Sequence, residues 1–302
     1  MTLPRAAVID IGSNTTRLLV AEPDPARPGA VVEVAAHRAF VRLTAAERAG
    51  GIPPEKARVI ADAVAEQALT ARANDVDALR VVATAALRHA PGRAALLERL
   101  AEAAGVPVDV LSGEEEARLA FAGATAGLAG ADRDGVRRVV VADVGGGSTE
   151  LACGAPGAAP SWWASLPVGS GALAEHHFAT DPPSRDELAR ARADAAAAIA
   201  AAGCPDADVA WAVGGSATSL RRLCGEALTA TVLDAALERL VAEPAPATSV
   251  DLGLHVERVR LLPAGLLLLA EVARAAGCPL RVGCGGLREG VILDLLGQVG
   301  YT

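Results

Sequence analysis

The chain has 302 residues, is 52% hydrophobic but only 2% aromatic, and carries a formal net charge of -8 at pH 7. A chain of this length divides into two domains and buries roughly three quarters of its unfolded surface, here in a core that Ala, Val and Leu must build. The acidic balance argues against a broad nucleic-acid or anionic-membrane surface, so an anionic substrate would need a local basic pocket.

In chain order, the first half reads as strands over about 6–12, 16–21 and 31–42, then a helix opened by Pro53-Pro54 and running to about residue 73. A strand (79–84), a helix (about 93–104), a strand (107–111) and a helix (about 114–127) follow. Hairpins followed by alternating helix and strand imply a mixed sheet with helices on its faces. The second half restarts with strands at 138–144, 149–154 and 161–167, and later strands at 208–213 and 279–284 each run into a glycine turn, GGSATS and GGLREG. The loop-like stretch GLAGADRDG places the domain boundary near 125–135, giving domains 1–126 and 127–302.

Several classes drop out. Lys56 is the single lysine among 28 cationic residues, which rules out a Walker-type phosphate loop. The five cysteines form no CxxC pair and read as neutral thiols in a reducing compartment. The N-terminus enters a strand almost at once, leaving no room for a signal peptide. The apolar run at 261–273 is interrupted by Pro263 and Glu271 and is too short to span a bilayer. A soluble cytoplasmic protein is expected.

The chain repeats itself. Residues 8–20 read VIDIGSNTTRLLV and residues 141–153 read VADVGGGSTELAC; aligned without a gap, Asp10 falls on Asp143, Gly12 on Gly145, Thr16 on Thr149 and Leu18 on Leu151. A duplicated strand–turn–strand with an acid beside glycines suggests two similar domains facing each other across a phosphate, with function in the cleft between them.

In DVGGGSTE (143–150), three glycines let backbone amides converge on an anion without interference from Cβ atoms. Asp143 and Glu150 could hold Mg²⁺ directly or through its waters; an ordinary glycine-rich hairpin is the plainer reading. The first copy has Arg17 where the second has Glu150, so one side would be cationic and the other acidic. In SGEEEARLAFAGATAG (112–127), Ser112 and Glu115 fit a capping box and Glu114 suits the helix dipole. Glu116 has no such local task. It heads a stripe of Ala120, Gly123 and Gly127, against which another backbone can pack. It is either a general base or a third acid at a helix start. Arg88, just after a strand, suits phosphate capture or a solvated surface. Trp162 and Trp163 alternate faces of a strand, one toward the core and one partly exposed. Neighbouring helical side chains such as His176 and His177 point about 100° apart, so a metal shared between them is not expected.

With both Asp-Gly turns, the GEEEAR helix, GGSATSL and GGLREG in this order, the chain resembles the exopolyphosphatase/guanosine pentaphosphate phosphohydrolase family over nearly its whole length. The resemblance implies an α/β fold of two ribonuclease-H-like domains, of the actin-like ATPase superfamily, with mixed sheets flanked by helices. Its active site would lie in the interdomain cleft, and its last helix could pack back on the N-terminal domain. The chain looks like the short form, without the extra helical domains of longer members. By that resemblance Glu116 matches the catalytic base and Asp143 and Glu150 the metal-associated acids. Gly145, Gly146, Gly147 and Ser148 match the phosphate loop, and Asn14, Arg17 and Arg88 further phosphate contacts. Mg²⁺ is the implied cofactor, inorganic polyphosphate or guanosine pentaphosphate the substrate, and a homodimer the assembly; neither nucleic acid nor membrane is an expected partner.

Two departures stand out. Ala172 and Ala174 replace an Arg and a Thr after the third strand of the second half, and the usual R-L-G of the first half reads Arg42-Leu43-Thr44. The expected activity is Mg²⁺-dependent release of the terminal phosphate of polyphosphate, with removal of the 5′ γ-phosphate of guanosine pentaphosphate as the nearest alternative. An ATP-dependent kinase or ATPase and a non-catalytic phosphate sensor are the rivals from other classes.

Overall fold

The computed structural model describes residues 3–126, 128 and 135–299. The predicted boundary loop at 125–135 and Gly127 fall largely or wholly outside them. The chain divides into two compact units, one of Met1–Ala129 together with Gly285–Thr302, the other of Gly130–Cys284.

The first unit is built on a five-stranded sheet in the order β3-β2-β1-β4-β5, from β1 (Ala6–Ile11), β2 (Thr15–Pro23), β3 (Val31–Phe40), β4 (Ala78–Ala83) and β5 (Val108–Val110). The first three strands form antiparallel hairpins, while β4 and β5 add in parallel. β1 is buried at every position but Asp10, as a central strand covered on both faces must be. On one face Ile9, Ile11, Leu18 and Val20 pack with Ile60, Val64 and Ala68 of α2 (Pro54–Ala73) and Leu100 of α4 (Arg93–Ala104). On the other, Val8, Leu19 and Ala21 pack with Leu119 of α5 (Gly113–Ala126) and Val291, Ile292 and Leu295 of α12 (Leu287–Gln298).

Glycines let α5 and α12 cross at backbone contact. A Cβ on Gly123 would fall 2.0 Å from the Gly286 carbonyl oxygen, and one on Gly290 would fall 2.0 Å from that of Leu119. The small-residue stripe read from the sequence therefore receives the last helix, at Gly123. Two short helices, α1 (Ala45–Gly50) and α3 (Ala85–Arg88), complete the unit. Thr44, the departure from R-L-G, is the N-cap of α1, in a reciprocal capping box with Glu47.

The second unit repeats the strand plan in a six-stranded sheet of order β10-β11-β9-β6-β7-β8. β6 (Val139–Val144), β7 (Thr149–Gly154) and β8 (Trp162–Leu166) are antiparallel neighbours, and β9 (Val209–Val213) joins β6 in parallel. β11 (Leu280–Val282) follows β9, and β10 (Ala227–Leu228) closes the edge. Its helices are α6 (Ser170–His177), α7 (Arg185–Ala202), α8 (Gly214–Cys224), α9 (Ala230–Leu240), α10 (Ala245–Leu252) and α11 (Val256–Ala276). α11 carries the apolar run around Leu266–Leu269, all four fully or almost fully buried. Among the described residues, no helix is long and apolar enough to cross a membrane. Trp162 packs on the core while Trp163 is 42% exposed, the alternation expected of the strand.

Two local readings change. GGSATS is not a turn but the first turns of α8, which begins at Gly214 directly after β9. Past Gly285 and Gly286, GGLREG is the first turn of α12 and not a glycine turn.

Candidate active site

The two hairpins share a construction. Gly12 N donates to Thr15 O at 3.0 Å, and Gly145 N to Ser148 O at 3.0 Å. Asp10 then stands opposite Arg17, and Asp143 opposite Glu150. Directly opposed residues of an antiparallel pair share a face of the sheet with Cβ atoms about 5 Å apart. The rows extend one strand further, Arg17 to Arg38 and Glu150 to Ser165. The first unit therefore presents acid–base–base and the second acid–acid–hydroxyl.

In the second unit Glu150 is buried, accepting from Ser165 Oγ at 2.8 Å and Ser148 Oγ at 3.3 Å. Asp143 lies against the N-terminus of α8, where a Cβ on Gly214 would fall 2.1 Å from its Oδ1. Gly214 is also left-handed, with φ +80°, so only glycine suits the position on both counts.

The triglycine turn is braced from one side by α6. Gly145 O accepts from Ser170 N at 2.9 Å and Ser170 Oγ at 3.0 Å, and Gly146 O accepts from Gly171 N at 2.9 Å and Ala172 N at 3.0 Å. Carbonyl and N–H point in opposite directions across a trans peptide. The amides of Gly146 and Gly147 therefore face away from α6, as an anion-binding nest requires. Gly169 makes the docking possible, because a Cβ there would meet the turn backbone at 2.7 Å.

In the first unit the turn carbonyls are likewise engaged, Ser13 O by Leu43 N at 2.6 Å and Asn14 O by Val41 N at 3.0 Å and Arg42 N at 3.2 Å. Arg42 holds a left-handed φ of +49°, and Lys56 Nζ fixes its carbonyl at 3.2 Å. Asp10 Oδ1 and Asn14 Nδ2 are buried with no hydrogen-bond partner among the described residues. Burial pushes the Asp10 carboxyl above its ordinary pKa, opposed by the charges of Arg17 and Arg288 and reinforced by Glu289. Glu116 is buried and ion-paired through Oε1 with Arg88 Nη2, and Arg88 Nε donates to Leu111 O at 2.9 Å. The capping box forms as read: Ser112 N and Oγ both donate to Glu115 Oε2 at 2.8 Å, which lowers the Glu115 pKa.

Within the first unit, then, Arg88 meets Glu116 and Arg17 faces Asp10; within the second, Asp143, Glu150 and the 145–148 turn are contiguous. The sequence reading did not single out Ser165, Ser170, Gly169 or Gly214 as supports. The GSG at 169–171, shortly after β8 ends at Leu166, is the one local signal that could have flagged two of them. The donor set at Asp143 and Glu150 fits Mg²⁺: both are hard oxygen ligands, and like charges directly opposed repel unless a cation neutralises them.

Two mixed-sheet units of the same strand plan, each opening on an acid-tipped hairpin and flanked by helices, define a two-unit α/β phosphatase. The chain belongs to the Ppx/GppA phosphatase family, which it matches over residues 26–299. It is 32% identical to exopolyphosphatase 1 of Mycobacterium leprae over 323 aligned residues, covering 97% of this chain and 89% of that protein. Its likeness to exopolyphosphatase 1 of Mycobacterium tuberculosis is 31% over 97% of this chain and 88% of that protein. Among solved structures, the Ppx/GppA family member of Aquifex aeolicus superposes with a TM-score of 0.79 at 25% identity, each chain covered in full (100%).

Proposed function

We propose that this chain is an exopolyphosphatase that releases the terminal orthophosphate of inorganic polyphosphate. The observation that carries the reading is the hairpin of the second unit: an opposed acid pair, Asp143 and Glu150, closed by a glycine turn whose amides face away from α6. The likeness to mycobacterial proteins named exopolyphosphatase supports it.

In this reading Asp143 and Glu150 hold Mg²⁺, directly or through its waters. When bound, the ion supplies positive charge against the phosphoryl oxygens. The Gly146 and Gly147 amides donate to the terminal phosphate, joined by the Ser148 hydroxyl once it turns away from Glu150, and there negative charge is spread over three oxygens in transfer. Glu116, oriented by Arg88, takes a proton from the attacking water. The new P–O bond forms in line with the bridging P–O bond that breaks, and the departing polyphosphate keeps that electron pair. Asn14, whose side-chain Nδ2 has no hydrogen-bond partner among the described residues, and Arg17 bind further phosphates.

The test is a phosphate-release assay over polyphosphates of several lengths, guanosine pentaphosphate and ATP, with and without Mg²⁺. Mg²⁺-dependent release from polyphosphate with ATP left intact is the expected result. Faster turnover of guanosine pentaphosphate would move the substrate assignment, and ADP formation requiring an acceptor would replace hydrolysis with a kinase reaction. Tight binding without turnover would remove catalysis altogether.

A further inference from the structure

We propose that His176, His177 and Asp194 form a binding site for a first-row transition-metal ion of the zinc class, separate from the acid pair at the glycine turn. His176 and His177 end α6, and Asp194 lies on α7. One nitrogen of each histidine and one oxygen of the aspartate all lie within 4.8 Å of one another, the one cluster of three such ligands among the described residues. His177 Nε2 is 2.8 Å from Asp194 Oδ2, and the two imidazoles meet edge-on, their centroids 4.6 Å apart and planes at 87°. This reverses the expectation drawn from helical geometry. The Cβ directions do diverge, but the chain is already extended at Phe178, so no following helical turn crowds the rings, and Asp194 enters from the neighbouring helix.

The donor chemistry selects the ion. Two imidazoles and a carboxylate suit Zn²⁺, Cu²⁺ or Ni²⁺, whereas Mg²⁺ prefers oxygen ligands and retained water. Three protein ligands leave a fourth position for water, the pattern of open zinc sites. A tetrahedral ion with bonds of about 2.0–2.1 Å holds its ligand atoms roughly 3.3 Å apart, within reach of side-chain rotation. The His177 side chain is 8% exposed and its partner Asp194 58%. One ligand is thus held by packing, while Asp194 and the exposed His176 leave an open path of entry. The site sits at the C-terminal end of α6, where the helix dipole favours a cation. Its other end braces the glycine turn.

The plainer account is an ion pair that ties α6 to α7 and binds nothing. Calorimetric titration of the full chain with Zn²⁺, in excess Mg²⁺ to occupy the hard-donor acids, separates the two. One Zn²⁺ per chain is expected to depend on these residues. His176→Ala, at an exposed position that leaves the His177–Asp194 contact intact, should weaken that binding at least ~10-fold, the loss typical even of outer-sphere changes. Zn²⁺ should raise the melting temperature of the parent chain and not of His176→Ala. Asp194→Asn should also bind more weakly. If His176→Ala and Asp194→Asn bind as tightly as the parent, the ion sits elsewhere, on thiols or the acid pair, and the proposal fails; it also fails if no Zn²⁺ binds. The readout is binding, so it stands or falls independently of the phosphatase reading.

Discussion

Asp143 stands directly opposite Glu150 across the β6–β7 ladder, and at the same point of β1–β2 Asp10 stands opposite Arg17. One backbone frame thus carries two charge patterns. The first hairpin sets an opposite charge, Arg17, against its acid, whereas the second sets a like charge, Glu150, against its own. Under the proposed function, this divergence would assign the metal to the second copy and further phosphates to the first.

Gly214→Ala tests the position of Asp143. The new Cβ would fall 2.1 Å from Asp143 Oδ1 at a φ of +80°. We expect about 1–2 kcal/mol of backbone strain together with loss of Mg²⁺-dependent phosphate release. Gly203→Ala, at φ +67° with nothing within 4 Å, carries similar strain and no steric conflict. It should cost similar stability and keep full activity. Equal activity in both variants would detach Asp143 from the reaction.

Ser165→Ala removes the 2.8 Å donor to buried Glu150. A hydrogen bond to a charged group is worth about 1.5–3 kcal/mol. A fall in stability of that order is expected in urea, with a higher Mg²⁺ concentration needed for half-maximal phosphate release. An unchanged metal requirement would show that Glu150 does not serve the ion.

Gly290→Ala places a methyl 2.0 Å from the Leu119 carbonyl oxygen, a backbone atom that cannot swing aside. Overpacking of this kind costs about 1–3 kcal/mol and sometimes more. The variant should melt several degrees lower, whereas Gly297→Ala in the same helix, with open space around it, should not. Equal melting would mean that α5 and α12 tolerate separation.

Acid should loosen the start of α7. Glu187 accepts from Thr180 Oγ1, Ser184 N and Ala179 N, which lowers its pKa from 4.5 to about 2. Between those values the unfolded chain binds the proton and the folded chain does not, so this contribution is full above pH 4.5 and is lost as pH falls toward 2. Glu187→Gln should be less stable at neutral pH and flatter across that window; parallel melting profiles for the two chains would refute this.

The legible parts of the sequence were those set by local rules. Both hairpins announce themselves by apolar runs ending in Asp and small residues, and the Ser112–Glu115 box by its spacing. Gly123 was legible as a close-packing position, although only the fold supplies α12 as its neighbour. What escaped reading depends on distant partners. Gly214 starts a helix instead of a turn in a backbone conformation fitted around Asp143. Arg88 and Glu116 pair across 28 positions, and Ser165 finds Glu150 across a strand. The closeness of Asp194 to His176 and His177 was likewise not readable, because it depends on how α6 and α7 pack.

The most direct test of the hydrolytic reading is single-turnover phosphate release by Glu116→Gln, with polyphosphate binding measured on the same protein. The glutamine keeps an oxygen that can accept from Arg88 but cannot take a proton from water. The account predicts a rate lower by ~10²–10⁴-fold with binding retained. Release at the parent rate would contradict it.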